Sequence, residues 1–427
     1  MLKFGTRGFW RPLLITCLFG STAVARAEGL RDALLATLRH HPAVAGQEAE
    51  VEARRYAADG VRSLRYPTLT AQAQQYAEGN RSEISGEDVS QPSILRVRQP
   101  VWAFGRIDNS IALANAEVNA ERADLMRVLR QLLEDTAAAY VAVRGSHQRI
   151  DIARQNVTQL EALFAQIQSR AAGQLASSAD ARLAAARLGQ GHALLAHAIS
   201  EWEGTQEDLI GLTQVAVRAD EPVPSGLLEL NESTDLVERA IDQSAEIGLK
   251  RRQLGRAEAE VDRARTASRP TIYLQADKFY DQPGLRDDTQ ASLVFEASLD
   301  GLGFAARGRT GEAVASRIAA TQDLAAAKVE LTREIKRLDR NRRLQTELIA
   351  LQNHSVQDLE SLLASYRRQY ESGTKSWLDL LNVQRELFEQ RRQLLQAQTD
   401  RQIYSVKLQA RIGGLDALAG IQERTDG

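Results

Sequence analysis

The chain has one cysteine in 427 residues, Cys17, and it lies in an apolar stretch near the N-terminus. The cysteine-free remainder excludes a disulfide framework, a thiolate nucleophile and a cysteine-ligated metal. Proline is scarce, at nine residues, and aromatics make up 5%. That poverty argues against a turn-rich β-sandwich and for long helices. Neither sign of charge dominates: 54 basic and 56 acidic residues leave a net charge of −2, so no basic field is available to hold nucleic acid. Beyond residue 27 no apolar run reaches the ~20 residues that a spanning helix needs. Catalytic constellations are missing too. His192 and His197, five apart, are badly spaced for two ligands on one helical face, and His40-His41 simply precede a proline. Gly301-Leu302-Gly303 has its next glycine at Gly308, too late for a dinucleotide fingerprint. No nucleophile–base pair, carboxylate pair or phosphate loop stands out. These absences predict a protein that is not an enzyme and uses no cofactor or metal.

What is present starts with a secretory pattern over residues 1–27. Lys3, Arg7 and Arg11 precede the apolar Leu13–Phe19, and Ala25-Arg26-Ala27 supplies a small-x-small cleavage site. A short membrane anchor is the other reading, and the apolar run is too short for it. An exported chain without a spanning helix is either soluble outside the cytoplasm or crosses a membrane as strands.

The dominant feature of the remainder is a duplication. Tyr66-Pro67-Thr68-Leu69-Thr70-Ala71-Gln72-Ala73 returns as Arg269-Pro270-Thr271-Ile272-Tyr273-Leu274-Gln275-Ala276. His40-His41-Pro42-Ala43-Val44 falls opposite Gln243-Ser244-Ala245-Glu246-Ile247, and Gly173 opposite Gly373. This predicts a first repeat over 28–213, a linker by composition over 214–232, a second repeat over 233–413 and a poorly ordered tail over 414–427. Each repeat reads as helix, two strands, long helix and return helix. In the first, a helix over 30–64 stops at Pro67. Strands follow at 68–76 and 93–102, with polar turn residues at 79–88 between them, then a long helix over 106–172 and a return helix over 177–210. In the second, a helix over 234–268 stops at Pro270. Strands at 271–280 and 291–299 flank a turn at 281–284, before helices over 309–371 and 376–411.

Within 106–172 there is no proline and only Gly145 interrupts as glycine, while apolar residues step by three and four through Leu125, Leu129, Leu132, Val157, Leu160, Phe164 and Ile167. Such a helix is about 100 Å long. Two half-length helices laid end to end match it, so each repeat predicts a helical column with a strand hairpin at one end and a tight turn at the other.

The strands alternate. Leu69, Ala71 and Ala73 stand against Thr68, Thr70 and Gln72, and Ala291, Leu293, Phe295, Ala297 and Leu299 against Ser292, Glu296 and Ser298. Alternation suits either a membrane barrel or a soluble amphipathic sheet. Aromatics near strand ends, at Tyr76, Trp102, Phe279, Tyr280 and Phe304, suit an interfacial girdle. If these strands face lipid, four of them cannot close a barrel, so several chains must share one.

With those features together, the chain resembles the TolC-like outer-membrane factors of efflux and type I secretion, over essentially all of residues 28–415. The resemblance rests on the duplication, on Gln99-Pro100-Val101-Trp102-Ala103-Phe104-Gly105-Arg106, and on the helix turns. Its most specific stretch is Tyr370-Glu371-Ser372-Gly373-Thr374-Lys375-Ser376-Trp377-Leu378-Asp379-Leu380-Leu381-Asn382, partnered in the first repeat by Ala172-Gly173-Gln174-Leu175-Ala176-Ser177-Ser178-Ala179-Asp180. It implies a mainly α protein with a transmembrane β part: a homotrimer sharing a 12-stranded barrel in the outer membrane of a Gram-negative cell, continued as a large periplasmic α-barrel. A periplasmic adaptor protein and an inner-membrane pump or ABC exporter are the implied partners.

The same resemblance makes Asp379 a candidate pore charge. The family often has a second acid three residues on, where this chain has Asn382. It makes Tyr370 and Lys375 candidates for links to Ser178 or Asp180 that hold the aperture closed. It also makes Gly173, Gln174, Leu175, Gly373, Thr374 and Trp377 candidate adaptor contacts. The residues themselves leave other readings open: Asp379 as a first-turn acid, Tyr370 as coiled-coil seam, Trp377 as cover for the turn, and the glycines as plain turn formers. The wording Lys-Ser-Trp-Leu-Asp is more similar to members serving type I secretion of large adhesins or toxins than to drug-efflux members. An adaptor with one helical hairpin, or a soluble exported scaffold, is the rival class.

Overall fold

A computed structural model describes residues 29–73, 93–229, 235–280, 288–298 and 300–421. The expected leader, the turns at 79–88 and 281–284, Tyr76, Leu299 and residues 422–427 lie outside the described residues.

The single helix expected over 30–64 is two, α1 (Leu30–His40) and α2 (Pro42–Arg62), followed by a 3-10 turn at Ser63–Arg65. Pro42 biases its predecessor to extended backbone, and His41 (φ −71°, ψ 125°) caps α2, its Nδ1 accepting the Ala43 N–H at 3.2 Å. The hydrophobic period runs unbroken across this bend, so only the proline signalled it. Strands β1 (Thr68–Ala73) and β2 (Ser93–Trp102) lead into α3 (Arg106–Ala172) and α4 (Ser178–Thr213). The linker holds a short helix, α5 (Ser225–Leu228).

The second repeat bends at the corresponding place without a proline. Ser244 (φ −63°, ψ 124°) accepts the Ile247 N–H at 3.4 Å. The span expected as one helix is therefore α6 (Leu236–Gln243) and α7 (Ala245–Thr266). Then come β3 (Thr271–Tyr280), β4 (Asp288–Glu296), α8 (Phe304–Glu371), α9 (Trp377–Arg411) and the short α10 (Asp416–Ala419). Strand β4 starts three residues before the expected 291 because Asp277, Lys278 and Phe279 pair with Gln290, Thr289 and Asp288. Helix α8 starts at Phe304 rather than near 309. Both long helices begin after two consecutive left-handed residues, Phe104 (φ 50°) and Gly105 (φ 86°) before α3, Leu302 (φ 56°) and Gly303 (φ 91°) before α8.

The four strands form one antiparallel sheet in the order β1-β2-β3-β4. The two repeats therefore meet along β2 and β3, and β1 and β4 are the sheet's edges. The helices form a single layer in the same sense. Helix α3 packs on α2 and α7 towards the sheet and on α4 and α9 towards the far end, while α8 packs on α7 and α9. Half-length helices thus lie end to end along continuous columns of about 100 Å. Gly145 sits where α3 lies against Thr399 of α9. A Cβ there would lie 2.6 Å from Thr399 Oγ1, inside contact distance.

Midway along the columns, at the equator, Leu34, Leu133, Tyr140, Leu209, Val406 and Leu415 are buried in one cluster. The tail expected to be poorly ordered is packed here up to Ala419, and the linker joins it. Linker residues Val217, Val223 and Leu227, and Leu415 and Ala419 of the tail, are buried members of this core. Composition suggested loose segments because prolines and glycines surround the few apolar anchors. The Tyr140 hydroxyl donates to the Glu221 carbonyl at 2.9 Å, and burial pushes its pKa up to about 12. Arg130 pairs with Asp416 at 2.6 Å. Arg411 lies 3.1 Å from both Glu134 and Glu334, tying α9 to α3 and α8. Burial raises the Glu134 carboxyl above its ordinary range.

Candidate functional site: a two-faced sheet and two helical tips

Directly paired residues on neighbouring strands share a face of the sheet. Leu69 pairs with Val97, Val97 with Ala276, Leu274 with Leu293 and Ile272 with Phe295. One face is therefore mainly apolar across all four strands, with Gln99 and Lys278 towards its two ends, and in the single chain Leu69, Leu274, Leu293 and Phe295 are all more than half exposed. The opposite face carries Thr70, Arg96, Arg98, Gln275, Asp277 and Ser292 through the pairs Thr70–Arg96, Arg96–Asp277, Arg98–Gln275 and Gln275–Ser292. Arg96 Nε bonds Asp277 at 2.8 Å, and Gln275 donates to Asp277 at 2.6 Å. Arg98 crosses over the Tyr273 ring, 4.6 Å from its centroid, to bond Glu296 at 2.7 Å.

A sheet with apolar side chains out and charge-paired side chains in is built for lipid on one side and water on the other. At its helical end Trp102 and Phe104 pack edge to face at 6.1 Å, and Trp102 and Phe304 are well exposed. No helix among the described residues is long and apolar enough to cross a membrane. Among those residues, no group of three His, Cys, Asp or Glu is placed to hold a metal.

The far ends of the columns are two turns, α3–α4 and α8–α9. Both return helices start with the same reciprocal cap. Ser177 Oγ accepts the Asp180 N–H at 3.1 Å while Asp180 accepts the Ser177 N–H at 3.1 Å. Ser376 Oγ accepts the Asp379 N–H at 3.2 Å while Asp379 accepts the Ser376 N–H at 3.2 Å. These bonds from the cap serine hold both carboxyls below the usual carboxylate range. Superposing the caps puts Asp180 opposite Asp379 and shifts the glycines by one. Gly373 takes the left-handed conformation (φ 77°) in the second turn, whereas Gln174 (φ 60°) takes it in the first. Gly173 (φ −82°) is an ordinary helix end. The expected Gly173–Gly373 correspondence is thus corrected: an amide side chain, tolerable in this region, does in one tip what glycine does in the other.

Of the residues singled out in sequence, Tyr370 and Trp377 are buried in the hydrophobic cluster at the tips, with Leu163, Ile167, Leu363 and Leu381. Arg170 stacks 4.4 Å over the Tyr370 ring from the first hairpin, and Trp377 of the second adds the smallest of the influences that lower the Asp180 pKa. These two contacts bring the tips together. Lys375 Nζ sits on its own hairpin, 4.5 Å over the Tyr366 ring, and is not drawn to Ser178 or Asp180 within the chain. Thr374 bonds the Gln369 carbonyl at 3.0 Å and closes its turn. Asn382, Ser178, Gln174 and Thr374 are exposed, and Leu175 is 81% exposed at the first tip. Sequence reading missed Arg170 and Tyr366. Their roles depend on which hairpin lies beside which, information that spacing along one helix does not hold.

An exposed-edged, two-faced sheet standing on a layer of very long helices defines a protomer of an outer-membrane channel. The profile of the outer membrane efflux protein family matches residues 34–213 and 236–414, and the chain belongs to that family. It is an outer-membrane efflux channel protein and not an enzyme. Solved structures share the fold at low identity. A crystal structure of CusC, described in terms of folding and transmembrane channel formation, aligns at 17% identity with a TM-score of 0.81, over 90% of this chain and 91% of that one. The outer membrane protein VceC of Vibrio cholerae aligns at 17% identity and 0.75, over 90% and 96%. The open-state outer membrane channel MtrE of Neisseria gonorrhoeae aligns at 19% and 0.74, over 90% and 88%. No curated protein sequence gives a significant match.

Proposed function

We propose that three copies of this chain join head to tail into one channel-tunnel, the exit duct of a tripartite export system that also includes a periplasmic adaptor and an inner-membrane transporter. The observation that carries this reading is the pair of open edges. Strands β1 and β4 each have one partner in the chain, and an apolar-faced sheet cannot leave backbone groups unpaired in lipid. The helical layer ends the same way. On the edge helix α8, Ile318, Val329, Leu344, Leu351 and Leu362 are exposed at intervals of 11, 15, 7 and 11 residues, one stripe along the helix. On the opposite edge α4 exposes Leu183 and Leu194. Two unlike edges that seek each other make a heterologous contact, which gives a ring where the rotation between copies closes. Three copies give the 12 strands that the family resemblance implies.

The repeats span 28–213 and 233–413, and residues 1–27 are removed on export. At the aperture, Asp379 contributes one acid per protomer with Asn382 three residues on, and Lys375 swings from Tyr366 to Ser178 or Asp180 of the adjacent column in the closed state. The capping role of Asp379 and the buried place of Tyr370 in the tip cluster support Lys375 as the lock more than Tyr370. Leu175 and Thr374, with the turns around Gly173, Gln174, Gly373 and Trp377, form the adaptor-facing surface. The exit cargo is polypeptide, by type I secretion. The single acid at each second-repeat tip and the Lys375–Asp379 wording support this. A second reading, export of small molecules, is favoured by the family description, which is that of efflux proteins.

Detergent-extracted protein run by mass measurement and in planar bilayers tests the conduit: a trimer with pore activity is expected, and a detergent-independent monomer without it contradicts the proposal. Deleting the gene separates the cargo readings. Loss of one large secreted polypeptide with unchanged toxicant sensitivity fits secretion, and the reverse result fits small-molecule efflux.

A further inference from the structure

The polar face of the sheet holds two rungs that differ in kind. In the first, Asp277 is 8% exposed and bonded by both Arg96 and Gln275. Arg96 reaches it with Nε at 2.8 Å and Nη2 at 3.5 Å. In the second, Arg98 makes a single hydrogen bond, from Nη2 to Glu296 at 2.7 Å, and its Nε has no partner. The Glu296 side chain is 53% exposed. Arg98 does not bond its direct neighbour across the strands. It lies diagonally over Tyr273, whose hydroxyl accepts from Arg106 at 3.2 Å. The ring and its arginine anchor therefore hold the guanidinium flat at the wall whether or not Glu296 is engaged. One rung is closed. The other is a preplaced arginine whose carboxylate can leave.

We propose that Arg98 is a specificity-determining contact for anionic groups passing through the barrel, carboxylates of a polypeptide or anionic small solutes, with Glu296 as its exchangeable internal counter-ion. The inference rests on the reading of this face as the wall of a water-filled lumen. Glu296 is the exposed member of the pair and Arg98 the partly buried one; largely exposed pairs are worth about 0–1 kcal/mol, so a passing carboxylate displaces Glu296 at little cost. A planar guanidinium on an aromatic face is suited to such bidentate, transient recognition. Glu296 returns when the cargo has moved on, which keeps the resting wall neutral. With Arg96 locked to Asp277, three copies would place three such arginines around the lumen.

The test is reversal potential and polyanion block of the assembled channel in planar bilayers under a salt gradient, with polyglutamate added on the barrel side. Glu296→Gln frees Arg98. About a threefold rise in anion-over-cation permeability, with stronger polyglutamate block, is expected. Arg98→Gln is expected to remove the block and, with Glu296 left unpaired, to shift permeability towards cations, while Arg98→Gln with Glu296→Gln is expected to lack the block and keep the selectivity of the unsubstituted channel. If Glu296→Gln forms normal pores with unchanged selectivity and block, the exchange role is wrong and the rung is only a strut between strands. If the unsubstituted protein forms no pore at all, the lumen reading itself fails, and this inference with it.

Discussion

The equator and the tips of the same helices are held together by different means. At the equator α3, α8 and α9 are joined by the contacts of Arg411 with buried Glu134 and partly buried Glu334, by Arg130 on Asp416, and by the Tyr140 bond to the linker carbonyl, all around a core that includes the linker and the tail. At the tips each hairpin is closed by its own cap box, and the two hairpins meet through a smaller apolar cluster, one arginine on a tyrosine ring and one indole at a carboxylate. The lesson is one of position. Contacts whose loss strands buried charge hold the equator, while the tips rely on a smaller cluster and single cation–ring and cap contacts, which fits the proposed opening at the tips.

The largest effect expected from breaking this contrast is at Arg411. Arg411→Ala leaves Glu134 and Glu334 without their shared cation, and a loss of about 3 kcal/mol is expected in denaturation of the detergent-solubilised protein. A loss as small as that of a tip substitution would erase the distinction. Gly145→Val pushes α3 off Thr399 and is expected to cost about 1–3 kcal/mol. Gly189→Val, with open space around it, is the control, and similar losses at both sites would remove the close approach from the account. Ser376→Ala and Ser177→Ala are each expected to cost about 1 kcal/mol, confined to faster hydrogen exchange in the first turn of α9 or α4. Spread of either effect to the equator would show the two regions to be one cooperative unit. Arg170→Ala removes the stacked cation from Tyr370 and is expected to cost only about 0.5–1 kcal/mol. Its signature is a higher resting conductance, and an unchanged closed state would remove that contact from the gate.

Acid sharpens the comparison because the two regions respond with opposite sign. Asp180 and Asp379 have lowered pKa values, so their stabilising contribution is full above the ordinary carboxylate range. It is lost as pH falls through their depressed values. Glu134 is raised by burial, so its unfavourable contribution is present at neutral pH and is relieved as pH falls through that raised value. Exchange protection, corrected for the intrinsic slowing of amide exchange in acid, should therefore rise at the equator on mild acidification while that of the tips is unchanged, with the tips loosening only in stronger acid. Parallel changes in both regions would contradict this assignment.

Much of the fold was legible in sequence because long helices and paired strands leave periodic marks. The span of α3 follows from an unbroken stepping of apolar residues with no proline, and β3 from alternation after Pro270. The bends at His41 and Ser244 escaped because the apolar period continues across them. The packed linker and tail escaped because a few anchors, Val223, Leu227 and Leu415, outweigh many turn-forming neighbours. At the tips, Ser376 and Asp379 could be read as a cap, and the spacing shows the first-repeat turn one residue out of step after its glycine, but only the backbone shows that Gln174 takes the left-handed place. The charge rungs of the sheet were invisible for a different reason. Arg98 and Glu296 are far apart in the chain and meet only because the two repeats join along β2 and β3.

The central claim is that one face of the four-stranded sheet meets lipid and the other lines water. The absence of cysteine after residue 17 allows a direct measurement: Ser292→Cys and Leu293→Cys, adjacent on β4, treated in reconstituted channels with a charged, membrane-impermeant thiol reagent. The account predicts rapid modification at 292 with a step down in conductance, and protection at 293, where only a lipid-soluble reagent reacts. Equal, rapid labelling at both positions by the impermeant reagent would contradict it.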